Sequence, residues 1–242
     1  MRVAVFSDIH ANYHALAAVL AALDAEGCDE LWCLGDVVGY GPQPNRCCAL
    51  VAERASLCLA GNHDLAALGA ISLADFNDDA AAAARWTQGE LDEQARAFLG
   101  GLEPSAKRDG VELYHGSPLD PVWDYVLDEQ AAYRSFLATE APLVLVGHTH
   151  LPLALSWHDG ELAGGIPAAG TEVVLEGARR LLNPGSVGQP RGNDPRAAWL
   201  LLDLARGLGT FRRVEYPVGE TQAEIRAHGL PEALAARLAA GV

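Results

Sequence analysis

Hydrophobic and polar positions form two kinds of segment in the first quarter of the chain. Short apolar runs such as Arg2–Ser7 are typical of buried strands, and longer segments with helical spacing such as Tyr13–Glu26 are typical of amphipathic helices. The order then repeats as a strand over Glu30–Leu34, a helix over Asn45–Arg54 and a strand over Ser56–Ala60. Strand–helix–strand order predicts crossover connections and a sheet with a parallel portion.

The pattern changes in the stretch 65–104, which is rich in Ala, Asp and Glu. Helical spacing over Asp78–Trp86 and Glu90–Leu102 predicts a helical insertion between core strands, and we expect it to form part of a pocket wall. Short apolar runs at Val111–Tyr114 and Pro142–Val146 predict two further strands after this insertion.

The last third of the chain reads mostly as strands separated by turns that contain Gly or Asp. No repeat or linker divides the sequence, so we expect a single α/β domain over residues 1–242 with two sheets. The predicted strands are Leu153–Trp157, Thr171–Leu175, Arg179–Leu182, Ala197–Asp203 and Thr210–Tyr216, followed by helices over Gln222–Arg226 and Pro231–Leu238.

Composition narrows the function classes. With 50% hydrophobic residues the chain is too apolar for a disordered protein, and no apolar run approaches the ~20 residues of a membrane span. No signal peptide is evident and the five cysteines make a poor disulfide framework, so we expect a cytoplasmic protein. Seventeen basic and 32 acidic residues give a net charge of −15. This charge disfavours polymeric nucleic acid as a partner, but a small phosphate ester is compatible if metal ions supply positive charge.

Potential metal ligands follow five of the predicted strands. The carboxyl ends of parallel strands share one edge of a sheet, so these side chains are expected to meet there. A single His-x-His can be merely a hydrogen-bonded strand end, but five such placements favour a site. The candidates are Asp8, His10, Asp36, Asn62, His115, His148 and His150, with His63 beside them.

The chemistry of this set indicates the ions. Oxygen and imidazole donors without thiolates suit Mn, Fe, Zn, Co or Ni, and we expect Mn first. Seven ligands with one bridging carboxylate fit two divalent ions about 3.5–4 Å apart, an arrangement that acts on phosphoryl groups.

Together these residues resemble the ordered motifs of the calcineurin-like metallophosphoesterase superfamily, and the match spans nearly the whole chain. The motifs are Asp8-x-His10, Gly35-Asp36, Gly61-Asn62-His63-Asp64, His115 and Gly147-His148-x-His150. The segments 7–12, 35–42, 115–118 and 183–191 resemble a bacterial and archaeal branch of small single-domain phosphodiesterases, similar to diadenosine tetraphosphate hydrolases.

The resemblance implies a four-layer α/β/β/α sandwich and a role for each ligand. His63 would face the substrate as an acid or a phosphate stabiliser. Asp8, His10 and His150 would hold one metal, Asn62, His115 and His148 the other, and Asp36 would bridge them.

The expected activity is hydrolysis of a small phosphodiester or a dinucleoside polyphosphate by a metal-bridging hydroxide. A phosphomonoesterase, including a protein phosphatase, is one alternative. A non-catalytic metal-binding scaffold of the same fold is another, although it predicts decayed ligands or a missing His63, and neither is seen.

Five further residues carry two interpretations each. Asn12 could contact phosphate or cap the following helix, with capping favoured. Tyr40 could stack on a base or pack internally, and Arg191 could bind phosphate or lie solvated at the surface. Trp123 and Tyr125 could line a substrate edge or an oligomer contact. Self-association into a homo-oligomer therefore stays open.

Overall fold

The structure is a computed structural model that describes all 242 residues. Strands and helices alternate up to α3, two further helices precede β4, and only strands occur from β6 to β12. The strands are β1 (Arg2–Phe6), β2 (Glu30–Cys33), β3 (Leu57–Cys58), β4 (Ser105–Arg108), β5 (Val111–Tyr114), β6 (Leu143–Val146), β7 (Pro152–His158), β8 (Glu161–Gly165), β9 (Glu172–Val174), β10 (Arg179–Pro184), β11 (Ala197–Asp203) and β12 (Leu208–Val214). The helices are α1 (Tyr13–Glu26), α2 (Pro44–Arg54), α3 (Asn62–Ala67), α4 (Asp78–Glu90), α5 (Glu93–Gly100), α6 (Glu129–Leu137), α7 (Val218–Ala227) and α8 (Glu232–Ala240).

The strands form two six-stranded sheets. The first has the order β3-β2-β1-β11-β12-β9, and the second has the order β4-β5-β6-β10-β7-β8. Strands β1, β2 and β3 pair in parallel, as do β5, β6 and β10, and the remaining pairs are antiparallel. The parallel portions confirm the prediction from the strand–helix–strand order, and their carboxyl ends position the candidate ligands.

The two sheets pack face to face and are covered by helices on the outside. Successive residues of β1 face opposite sides of the sheet. Val3 and Val5 therefore join the core between the sheets, whereas Ala4 and Phe6 pack under α1, α2 and α5. Phe136 of α6 packs on the outer face of the second sheet. These contacts make the four-layer α/β/β/α sandwich that was expected.

Helix α1 shows how the sequence places one of these layers. Leu16, Val19, Leu20 and Leu23 are buried at helical spacing, so they form one apolar stripe against the first sheet. The helix ends at Gly27, whose φ of 73° is the left-handed conformation that glycine adopts without steric cost. Its predicted bounds are those observed.

Four short elements were not predicted from the sequence. Strands β4 and β8 lie at the two edges of the second sheet, and their existence depends on pairing with β5 and β7. Helices α3 and α6 span six and nine residues, and their positions were not recognised as helical from the sequence. In addition, none of the helices has both the length and the apolar character needed to cross a bilayer.

Truncation of the core between the sheets should destabilise the fold. Leu202 of β11 is fully buried there, so Leu202→Ala should lower the free energy of unfolding by about 2–5 kcal/mol. Leu137→Ala is the matched control, because Leu137 is 60% exposed and its loss should cost under about 0.5 kcal/mol. Urea unfolding of the three proteins measures both values. Equal stability of Leu202→Ala and wild type would contradict the assigned core.

Candidate metal centre

The predicted ligands come together at the carboxyl ends of the parallel strands. Asp8 and His10 follow β1, Asp36 follows β2, and His115 follows β5. All of these side chains are at most 1% exposed, although they are polar. Burial of so many polar groups at one edge is costly unless each has a partner, so the cluster requires an explanation beyond packing.

The backbone is strained in the loops that carry these side chains. Residues other than glycine rarely adopt positive φ, and such strain concentrates at functional sites. Seven of the ten non-glycine residues with positive φ belong to these loops: Asp8, His10, Ala11, Asp36, Tyr40, His148 and His150.

The first group of donors consists of Asp8, His10, Asp36 and His150, whose candidate ligand atoms lie within 4.8 Å of one another. His10 Nε2 and His150 Nε2 are 2.9 Å apart. The Nδ1 of His10 faces the Val38 carbonyl at 3.2 Å, and that of His150 faces the Gln189 carbonyl at 2.9 Å. A carbonyl can only accept, so each Nδ1 carries the proton and each Nε2 presents a lone pair. Two nitrogen lone pairs that face each other repel, and a cation bound by both would remove this repulsion.

The second group consists of Asp36, His115 and His148, again within 4.8 Å. His115 Nε2 lies 3.1 Å from His148 Nδ1 and 3.2 Å from Asn62 Oδ1. The Leu34 carbonyl, 2.9 Å from His115 Nδ1, fixes this ring in the same tautomer as His10 and His150.

Asp36 belongs to both groups. Its Oδ2 lies 3.6 Å from His10 Nε2 and 3.5 Å from His115 Nε2, whereas Oδ1 accepts the backbone N–H of His63 at 2.9 Å. One carboxylate oxygen therefore stands between two imidazole groups, a position from which it can contact two cations.

The electrostatics of the cluster also fit cations. Burial raises the pKa of Asp8 to about 7 and raises that of Asp36 well above its usual range. Both carboxylate oxygens of Asp8 and Oδ2 of Asp36 are buried without a hydrogen-bond partner. Divalent ions would supply the missing partners and stabilise the ionised carboxylates, so this donor set fits a divalent metal centre.

His63 lies beside the cluster but belongs to neither donor group. Its ring packs against Tyr40 and Phe76, with ring centroids 4.3 and 5.0 Å away. Its Nδ1 is buried under Gly39, where a Cβ would approach to 2.6 Å, so Nε2 is the nitrogen available to a substrate. Burial lowers the pKa of His63 to about 3, which keeps the free ring neutral at pH 7.

Hydrogen bonds hold the ligand loops in place. Asp64 accepts the backbone N–H of Val38 at 3.0 Å and that of Gly61 at 2.9 Å, which ties the Asp36 loop to the start of α3. Asn183 donates to the Gly147 carbonyl at 2.6 Å. Both residues lie in motifs quoted above, but their sequence gives no sign of these supporting roles.

Further support comes from the segment after β10. Ser186 donates to the Asp8 carbonyl at 2.7 Å. Gly188 approaches so closely that a Cβ there would lie 1.7 Å from the Ile9 carbonyl oxygen. Only a glycine leaves room for this contact, which explains the glycine at position 188.

Two of the three predicted substrate contacts, Asn12 and Tyr40, have structural roles in the fold. Asn12 caps α1 by accepting the Ala15 N–H at 3.2 Å, and its amide also donates to the Gly188 carbonyl at 2.9 Å. The capping interpretation is confirmed, and the occupied amide argues against a phosphate contact. Tyr40 is 9% exposed and packs against His10 and His63, so it offers little free ring surface for a base.

Arg191 remains a candidate. It is half-buried, and its charge acts on the cluster: burial raises the pKa of Asp8, and the nearby guanidinium opposes this rise. Burial and the Asp36 charge likewise raise the pKa of Tyr125, and Arg191 again opposes the shift. Arg191 therefore lies within electrostatic reach of the donor groups.

Comparison with known proteins agrees with this geometry. The model of the calcineurin-like phosphoesterase superfamily domain matches residues 1–207. An uncharacterised protein of Methanocaldococcus jannaschii is 36% identical over 244 residues, which cover 99% of this chain and 98% of that protein.

Two solved structures extend the comparison. The crystal structure of a metallophosphoesterase from Sphaerobacter thermophilus is 41% identical, with a TM-score of 0.91 over 100% of this chain and 99% of that one. A hypothetical protein from Pyrococcus horikoshii, 22% identical, shares the fold with a TM-score of 0.80 over 100% and 98% of the two chains. The family match, the sandwich and the buried Asp and His cluster lead to one conclusion: this chain belongs to the calcineurin-like phosphoesterase superfamily and is a phosphoric ester hydrolase.

Proposed function

We propose that this chain is a phosphodiesterase that cleaves a small phosphodiester or a dinucleoside polyphosphate with two divalent ions. The observation that carries the proposal is the position of Asp36 Oδ2, 3.6 Å from His10 Nε2 and 3.5 Å from His115 Nε2. When bound, the ions supply the positive charge and the activated water that phosphoryl hydrolysis needs. We take Mn²⁺ as the expected ion, with Fe, Zn, Co or Ni compatible with the same donors.

The proposed ligand assignment follows the two donor groups. Asp36 serves both ions, because one oxygen lies at similar distances from both imidazole groups. Asn62 joins the second group through Oδ1, 3.2 Å from His115 Nε2. Asp8, His10 and His150 hold the first ion, and Asn62, His115 and His148 hold the second.

His63 is proposed to act on the substrate rather than on a metal. Its ring is neutral in the free protein because it is buried. An approaching phosphate is negative and favours the protonated ring, which can then give its proton to the departing oxygen. This role uses Nε2, since Nδ1 is enclosed under Gly39.

The charge around the cluster favours a diester over a monoester. Arg191 is a permanently charged cation whose charge acts on Asp8, and the chain as a whole carries a net charge of −15. A phosphodiester carries one negative charge and needs less compensation than a dianionic monoester. Arg191 would then contact a phosphate oxygen through the N–H groups of its guanidinium.

Metal dependence tests the proposal. Protein treated with excess chelator should not hydrolyse bis(p-nitrophenyl) phosphate, and Mn²⁺ should restore activity. Mg²⁺ should restore less, because imidazole is a poor ligand for it. The same assay should compare p-nitrophenyl phosphate and diadenosine tetraphosphate. Activity that survives confirmed metal removal would refute the metal-dependent mechanism, and a larger kcat/KM for the monoester would identify a phosphomonoesterase.

A single added methyl group should disrupt the proposed bridge. A Cβ at Gly61 would lie 2.0 Å from Asp36 Oδ1, so Gly61→Ala must displace that carboxylate. We expect less bound Mn²⁺ and a loss of about 100-fold in turnover. Gly89→Ala in α4 is the matched control, since its Cβ meets nothing within 4 Å. Elemental analysis and rates would show the contrast, and wild-type metal content in Gly61→Ala would contradict the role of Asp36.

The loss of turnover that follows removal of the proposed acid should depend on the leaving group of the substrate. His63→Ala should keep wild-type metal content but lower turnover of alkyl phosphodiesters by about 10²–10⁴-fold. The loss should be smaller for nitrophenyl esters, because nitrophenolate departs without a proton. Equal losses for both esters would indicate that His63 only binds phosphate, and a fall in metal content would make it a ligand.

A further inference from the structure

An exposed tyrosine lies directly on one of the donor histidines. The Tyr125 ring stacks on His148 with centroids 3.8 Å apart and planes 24° apart. Tyr125 is nevertheless 44% exposed. The imidazole covers one ring face, and close to half of the residue remains open to solvent. Exposed aromatic surface therefore lies immediately beside the donor groups.

A second series of aromatic contacts runs from His63 through Phe76 to Trp123. Phe76 packs edge to face on His63 at 5.0 Å, and Trp123 packs edge to face on Phe76 at 5.3 Å. Both Phe76 and Trp123 are only half-buried. Phe76 belongs to the predicted insertion 65–104, and Trp123 lies only two residues before Tyr125. Aromatic surface therefore reaches solvent beside both His63 and His148.

We propose that Tyr125 and Trp123 form an aromatic rim that binds a nucleobase attached to the scissile phosphate. The inference deepens the proposed function and rests on it, since the phosphate must lie at the donor groups for the base to reach the rim. Planar bases stack on aromatic faces irrespective of base identity, so the rim selects nucleotides over simple sugar phosphates without selecting one base.

The charge pattern favours a small nucleotide over a longer chain. One aromatic rim accommodates a base next to the phosphate. The net charge of −15 would repel the further phosphates of a polynucleotide. The rim thus fits a nucleoside ester or a dinucleoside polyphosphate.

Binding of two non-cleavable ligands tests the rim. The methylphosphinate analogues of AMP and of 1-O-methylribose 5-phosphate, in which carbon replaces both ester oxygens, carry the same single negative charge as a diester. They differ in the group at C1′, which is adenine in one and methoxy in the other. Calorimetric titration of the Mn²⁺-loaded protein should give a dissociation constant about tenfold lower for the AMP analogue. This ratio is near the low end of the affinity that stacking of one base on one aromatic side chain provides.

Variants should remove this preference and leave the ribose analogue unaffected. Tyr125→Leu and Trp123→Leu should each bring the two dissociation constants close together, whereas Tyr125→Phe keeps the ring and should keep the preference. Tyr133→Leu is the matched control, because Tyr133 is 46% exposed and packs on Trp157, a residue of β7 rather than a donor histidine. Metal content of each variant is measured alongside, and Trp123→Leu decides the result if Tyr125→Leu loses Mn²⁺.

The possible failures are distinct. If wild type binds both analogues equally, or binds neither, while it hydrolyses bis(p-nitrophenyl) phosphate, the rim inference is overturned and the proposed function stands. A preference that survives both leucine variants also overturns the rim. If wild type binds neither analogue and hydrolyses no phosphate ester, the proposed function fails, and the rim with it.

Discussion

The structure depends on the burial of two carboxylates, Asp8 and Asp36, against imidazole nitrogens that present lone pairs to them and to each other. Burial raises the pKa of both acids, and three of their four carboxylate oxygens lack a hydrogen-bond partner within the protein. Such a cluster is unfavourable by itself and becomes favourable when cations occupy it. The strained loops around it are therefore part of a site built to bind metal ions.

The sandwich holds these unfavourable groups together. Each sheet delivers donors at the ends of its parallel strands, and the core between the sheets fixes their relative positions. Asp64, Asn183 and Ser186 then bind backbone groups of the donor loops. The packing of the core and the hydrogen bonds of the loops together offset the strain of seven residues with positive φ.

The donor groups and the residues around them have different proposed roles. The donor groups are common to any phosphate ester, because they interact with the phosphorus centre and its oxygens. Selectivity must come from residues that contact the rest of the substrate, and in the proposed rim those residues are aromatic. Tyr40 is enclosed, whereas Tyr125 is 44% exposed. This difference moves the proposed base contact from one tyrosine to the other.

The sequence by itself determined the alternation of strands and helices and the placement of candidate ligands after strands, because apolar periodicity and residue order are local properties. It also predicted the bounds of α1, β5 and β11 correctly. It did not reveal strand β8 or helix α6, which depend on pairing and packing with distant segments. It favoured a helix cap for Asn12, but it could not show that the Asn12 amide is occupied by the Gly188 carbonyl or that Arg191 lies near the donor groups. Only the tertiary structure decided which side chains already have partners and which remain free, because those partners lie up to 210 residues away in the chain.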